Sequence, residues 1–164
     1  MTSHSEVANP RRDVIEFERR IGAPPETVFS YFTDPDRYRR WQGVDAELDP
    51  RPGGLFQVRM TGHAQMIARG EYLELDPPRR LSFSWGWEPT ADLDAAQQSV
   101  APGTSTVEVV LVPDGNGTLL RLRHSGLPTQ DACRFHHWGW ELTLDRLAGA
   151  ARGDDLGPNP FLAF

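Results

Sequence analysis

Cysteine is almost absent from this sequence of 164 residues, with Cys133 the only one. An intramolecular disulfide and a cysteine-based zinc cluster are thereby excluded, and Cys133 itself reads as a small, half-buried helix residue. Long apolar runs are missing too. No stretch approaches the roughly 18 consecutive apolar residues of a membrane span, and Met1 to Asn9 lacks the apolar centre of a secretory signal, so the expectation is a cytoplasmic protein with no membrane partner. Positive charge is in deficit: 17 Lys+Arg against 23 Asp+Glu leave a formal charge of −6. That balance argues against sequence-independent binding to nucleic acid, which needs a basic surface. Gly-x-Ser-x-Gly, the P-loop pattern, Gly-x-Gly-x-x-Gly and His-Glu-x-x-His do not occur, which removes most hydrolase, kinase, dehydrogenase and metalloprotease readings. Neither a metal nor a cofactor is expected.

What is present suits one domain with a substantial core. The chain is 38% hydrophobic and carries five Trp and eight Phe, and at this length it buries about 70% of its unfolded surface. The boundaries expected are a loose polar leader over 1–12, a domain over 13–152 and a tail over 153–164. The tail holds helix breakers and then the apolar end Phe161 to Phe164, which docks on the domain or on a partner; a homodimer or protein partner is left open on that account.

Ile15, Phe17 and Arg19 alternate with polar residues and predict a first strand with one buried face. Pro24-Pro25-Glu26 then opens a short helix with the apolar stripe Val28, Phe29 and Phe32. A second runs from Pro35 to Trp41, with Asp34 as N-cap and Gly43 beyond its end. From Val44 to Ser125 the period changes to two, broken by turns at Pro52-Gly53-Gly54, Gly62-His63, Asp76-Pro77-Pro78 and Pro113 to Gly117. Leu81, Phe83, Trp85 and Trp87 against Ser82, Ser84, Gly86 and Glu88 is the most regular strand signature. The acidic stretch Glu88 to Gly103, with at most one helical turn near Leu93 to Gln98, is long for a loop and reads as an insertion or a lid. Thr129 opens a last helix reaching about Ala151, whose stripe is Cys133, His137, Trp140, Leu144, Leu147 and Ala151.

Strand, two short helices, six strands and a long helix is the order of the helix-grip fold. The run Arg20 to Phe29, then Asp34-Pro35 and Trp41, resembles the opening of the SRPBCC (START-like) superfamily, and within it the heat-shock-protein ATPase activator-like group. Gly53-Gly54-Leu55-Phe56, Gly70 to Leu81 and Phe83-Ser84-Trp85 resemble that group's middle block. Thr106 to Val109, Gly117 to Leu120, His124-Ser125-Gly126-Leu127 and Gly139-Trp140 resemble its end. The resemblance implies an α+β fold in which a curved antiparallel sheet of about six or seven strands wraps a long C-terminal helix. It also implies an apolar cavity between the two, and no shared catalytic set.

A cavity of that kind is expected at roughly 300 to 1,000 Å³. Its candidate walls are Phe56, Val58, Met60, Phe83, Trp85, Trp87, Leu120, Leu122 and Trp140, with Trp41 at the mouth. His124 alternates with Leu120 and Leu122 and shares their inner face; His137 sits one turn before Trp140. These two histidines are expected to face each other across the cavity, as ligand hydrogen-bonding groups or proton carriers. Arg59, Arg69, Glu71, Arg121 and Arg123 read as a solvated outer face. Three functions are in play: binding of a small hydrophobic or aromatic molecule, an enzyme of the cyclase or aromatase kind, and a co-chaperone-like protein-interaction domain.

Overall fold

A computed structural model of the chain describes residues 13–42, 45–60 and 66–160. The leader 1–12, Gly43, Val44, the turn at Gly62-His63 and the apolar end Phe161 to Phe164 lie outside the described residues.

The elements follow the expected order. Strand β1 (Ile15–Ile21) leads to helices α1 (Pro25–Thr33) and α2 (Pro35–Gln42), then to β2 (Asp45–Leu48), β3 (Leu55–Met60), β4 (Met66–Asp76) and β5 (Arg80–Trp85). A one-turn helix α3 (Ala95–Gln98) precedes β6 (Ser105–Asp114), β7 (Gly117–Ser125) and the long helix α4 (Gln130–Arg152). All seven strands pair antiparallel in the order β1-β7-β6-β5-β4-β3-β2. The helix-grip architecture is thus present, with α4 packed against α1, α2, α3 and β1.

Register decides which side chains meet the helix, because residues directly opposite in a sheet project from the same face. Tyr72, Phe83, Val107, His124 and Ile15 stand opposite one another in a single row from β4 to β1. All five are buried. The outer face carries charges in a corresponding row. Arg80 bridges Glu74 and Glu108 at 3.0 Å each, Arg123 reaches Glu108 at 3.3 Å and Glu16 at 3.7 Å, and Arg121 pairs with Glu18 at 2.9 Å. Exposed pairs of this kind contribute less than about 1 kcal/mol each; their main effect is to keep this face of the sheet wet.

The helix ends follow from local chemistry. Thr129 accepts from the Ala132 N–H at 2.9 Å to cap α4, and Gly153, at φ 85°, closes it in the left-handed region that favours glycine. The segment Glu88 to Gly103 is tied down rather than free. Trp87 N–H donates to Val100 O and Glu88 N–H to Ile67 O, while Leu93, Gln97 and Val100 are buried. Gly86 permits this close return, since a Cβ there would lie 1.7 Å from Ala101 O.

The described part of the tail docks on the helices. Arg146 donates from Nε to Trp41 O (2.8 Å) and from its two terminal nitrogens to the carbonyls of Leu156 (3.4 Å), Pro158 (3.2 Å) and Gly157 (3.1 Å). Asn159 Nδ2 donates to Gln42 O at 2.6 Å. Arg146→Ala is expected to cost about 2 kcal/mol and to open residues 153–160 to limited proteolysis; a digestion pattern like the wild type would show that the guanidinium is not what holds them.

Candidate functional site

Between the sheet and α4 lies a cavity lined by Gln42, Met60, Trp85, Trp87, Phe135, His136, Gly139, Trp140 and Thr143. Three elements supply its aromatic walls. Trp85 ends β5, Trp87 follows as an isolated bridge to Ala68 on β4, and Trp140 projects from the middle of α4. The ring of Trp85 lies 5.4 Å from that of Trp87 and 6.2 Å from that of Trp140. The free volume is about 40 Å³, enough for a few water molecules and well short of the roughly 150 Å³ that admits a benzene ring. The large pocket expected from the fold is mostly filled by its own aromatic side chains.

Two buried histidines sit against this box with their rings 5.0 Å apart. Their protonation follows from their partners. Trp140 Nε1–H can only donate, so His124 Nδ1 accepts at 3.1 Å. Ser105 Oγ donates to Trp85 O at 2.8 Å and therefore accepts from His124 Nε2–H at 2.9 Å. In His136 the assignment is reversed: Nδ1–H donates to Ala132 O at 2.7 Å, and Nε2 accepts from Trp87 Nε1–H at 3.0 Å. Both rings are neutral, and every ring nitrogen has a partner inside the protein. Burial holds His136 down at about 4, with the Ala132 carbonyl and Asp94 pulling weakly the other way. Burial first, and then the neighbouring His136, hold His124 well below its ordinary 6.5.

The third indole differs. Trp85 is 5% exposed, and its Nε1 is a buried side-chain polar atom with no hydrogen-bond partner among the described residues. A buried donor left unmet costs about 1–3 kcal/mol.

The model of the family described as activator of Hsp90 ATPase homolog 1-like protein matches residues 22–152. This chain belongs to that family. The solution structure of the AHSA1-like protein from Rhizobium etli is 43% identical, with a TM-score of 0.66 and coverage of 92% of this chain and 89% of that one. The crystal structure of CalU16 from Micromonospora echinospora is 35% identical, with a TM-score of 0.63 and coverage of 84% and 74%. A protein from Chromobacterium violaceum is 27% identical, with a TM-score of 0.69 and coverage of 87% and 99%. A search of the curated proteins finds no match.

In this AHSA1-like chain the residues expected to bind a ligand divide into three groups. Met60, Trp85, Trp87 and Trp140 line the cavity. Phe56, Val58, Phe83 and Leu122 are buried on the inner face without reaching it, as is Leu120; Phe56 and Phe83 stack on each other at 4.0 Å. Trp41 is a core residue and not a mouth: it is fully buried, edge-on to Phe32 and Tyr38, and its Nε1–H donates to Tyr31 O at 2.9 Å. His124 stands behind the wall, holding Trp140.

His137 requires a correction. It is exposed, packed on the Phe17 ring at 4.8 Å with Nδ1 3.3 Å from Glu141, and it does not face His124. The buried stripe of α4 runs through Ala132, His136, Trp140, Thr143, Leu144, Leu147 and Ala150. Successive residues are about 100° apart on a helix, and the inward face is centred on the His136 side of Trp140, so His137 turns out and His136 turns in. Phe135, Gly139, Thr143 and Gln42 were missed with it. The available signal was a second stripe, Ala132-His136-Trp140-Thr143-Leu147, with the same four- and three-residue steps.

Among the described residues, no group of three or more His, Cys, Asp and Glu side chains is placed to hold a metal ion. No helix among them is long and apolar enough to cross a membrane. Burial raises the Cys133 thiol, and Asp13 adds to this, which keeps it protonated and unreactive near neutrality.

Proposed function

We propose that this protein binds a small, largely apolar molecule in the cavity between the sheet and α4. The observation that carries the reading is an aromatic box that holds free space at the seam where the helix meets the sheet. Entry of even one aromatic ring requires the walls to yield. Met60, an unbranched and adaptable side chain at the end of β3, and the half-buried Phe135 are the parts able to do so. The enzyme reading loses its proton carriers. His137 is outside, and His124 and His136 have no free ring nitrogen to offer a substrate.

The test is a naphthalene titration followed by tryptophan fluorescence, together with Thr143→Leu. Thr143 lines the cavity and spends its hydroxyl on Gly139 O within its own helix, at 3.0 Å. Added bulk there fills space without orphaning a partner. Saturable quenching that weakens at least tenfold in Thr143→Leu is expected. Failure of naphthalene to bind the wild type would favour instead a domain that acts on a protein partner through its surface, a reading to which the small cavity volume lends weight.

A further inference from the structure

One polar side chain of the cavity narrows its ligand class, given the binding function proposed above. Gln42, the last residue of α2, is 5% exposed and lines the cavity. Its backbone is pinned, since its carbonyl accepts from Asn159 Nδ2 at 2.6 Å and the Trp41 carbonyl before it accepts from Arg146 at 2.8 Å. The side-chain amide is only partly used. Burial raises the Tyr38 phenol, Tyr72 adds to the rise, and a hydrogen bond with the Gln42 side chain opposes it. A bond that favours the phenolate is one donated to the phenolic oxygen, so Gln42 spends an amide N–H there. Its Oε1 is left without a donor among the described residues. It is not sealed off, however, because the buried side-chain polar atom that lacks both a partner and an accessible surface among those residues is Trp85 Nε1 alone. Oε1 therefore keeps an accessible surface, and for a residue this buried that surface belongs to the cavity it lines. Thr143, across on α4, has given its proton to Gly139 O, so toward a ligand its hydroxyl acts only as an acceptor. No lining side chain is charged when His136 is neutral, and an ion entering the box would lose its hydration without a counter-charge.

We propose that the cavity takes an uncharged aromatic compound bearing a hydroxyl or N–H group, and that this group donates its hydrogen bond to Gln42 Oε1. The indole walls suit a flat, polarisable ring. Gln42 is the residue that tells such a ligand from a hydrocarbon of the same shape, because a hydrocarbon filling the cavity cuts Oε1 off from water and gives it no donor in return.

Four single-ring probes separate the possibilities by titration calorimetry: p-cresol, p-xylene, in which a methyl replaces the hydroxyl, p-methylanisole, whose oxygen carries no proton, and the anion p-toluate. In the wild type, p-cresol is expected to bind about five- to tenfold more tightly than p-xylene, p-methylanisole no more tightly than p-xylene, and p-toluate not at all. In Gln42→Met, a side chain of similar length, the preference for p-cresol is expected to fall to about one. The ratio is the readout, since loss of packing or of the Tyr38 contact weakens the neutral probes together, as in a double-mutant cycle. Equal binding of p-cresol and p-xylene by the wild type overturns the assignment of Gln42 while leaving the cavity as a ligand site. So does p-methylanisole binding as tightly as p-cresol, because a donor of the protein would then be meeting the ligand oxygen. A preference that survives in a folded Gln42→Met places the acceptor elsewhere and overturns it as well, and p-toluate binding as tightly as p-cresol overturns the uncharged class. If no probe binds, the binding function itself fails and takes this inference with it. The wild-type comparison stands even if the variant does not fold.

Discussion

Acidification from pH 6.5 to pH 4 is expected to remove about 3 kcal/mol of stability through His136 alone. The folded ring is held down at about 4 by burial, against an ordinary value of 6.5. Over that interval the unfolded chain binds a proton that the folded chain refuses, so stability falls as pH falls, by about 1.4 kcal/mol per pH unit. Above pH 6.5 the effect vanishes, since both states are neutral. His124, also lowered by burial, acts in the same direction and steepens the slope. Geometry gives the same sign. Protonating either ring turns an accepting nitrogen into a donor and sets it against the N–H of Trp87 or Trp140. Urea midpoints between pH 6.5 and 5, above most carboxylate titration, measure the effect. His136→Gln is expected to lose roughly one proton of pH dependence, and a wild-type midpoint that is flat across the interval would refute the buried neutral pair.

Replacing Trp140 is expected to give the largest loss from a single substitution at the site. Trp140→Ala removes a buried indole from the middle of the seam, which costs about 3–5 kcal/mol from lost transfer energy and the cavity left behind. It also leaves His124 Nδ1 buried without a donor. Trp140→Phe separates the two contributions, because most of the packing stays while the N–H is lost. A cost of about 1–3 kcal/mol is expected for the unmet acceptor. Equilibrium unfolding of both variants makes the comparison. Trp140→Phe matching the wild type would mean that the indole–imidazole bond contributes nothing and that Trp140 acts by bulk alone.

The strands were legible because alternation is a local property. On β5, Leu81, Phe83 and Trp85 project from the inner face as their spacing requires, and Ser105, opposite Trp85, supplies the hydroxyl that orients His124. The same inner-face phase placed His124 correctly on β7. Burial on β5 was less predictable: Ser82 and Ser84 are buried as well, even though they alternate as outer-face residues should. Close approach of other backbone is part of the reason, since the Ser84 carbonyl lies where a Cβ on Gly70 would be, at 1.9 Å.

Helix α4 was legible in extent but not in roll. Its stripe is wide enough that His136 and His137 both satisfy a four- and three-residue repeat through Trp140, and the choice between them rests on a rotation of a fraction of a turn. Contacts made by residues distant in sequence set that rotation: Trp87 donating to His136 across 49 positions, and Phe17 packing on His137. Trp41 shows the same limitation. Its place at the end of a short helix fits a cavity mouth or a core plug equally, and only the packing of Phe32, Tyr38 and the Tyr31 carbonyl around it makes it a plug.

Local pattern was therefore sufficient for the fold class, the strand faces and the family resemblance, because period, turn chemistry and capping act over a few residues. Tertiary packing alone decided which histidine enters, which donor is left unmet and how much room remains. Those outcomes depend on the separation and roll of α4 against the sheet, and the free volume is a small remainder between large side-chain volumes and the gap they fill.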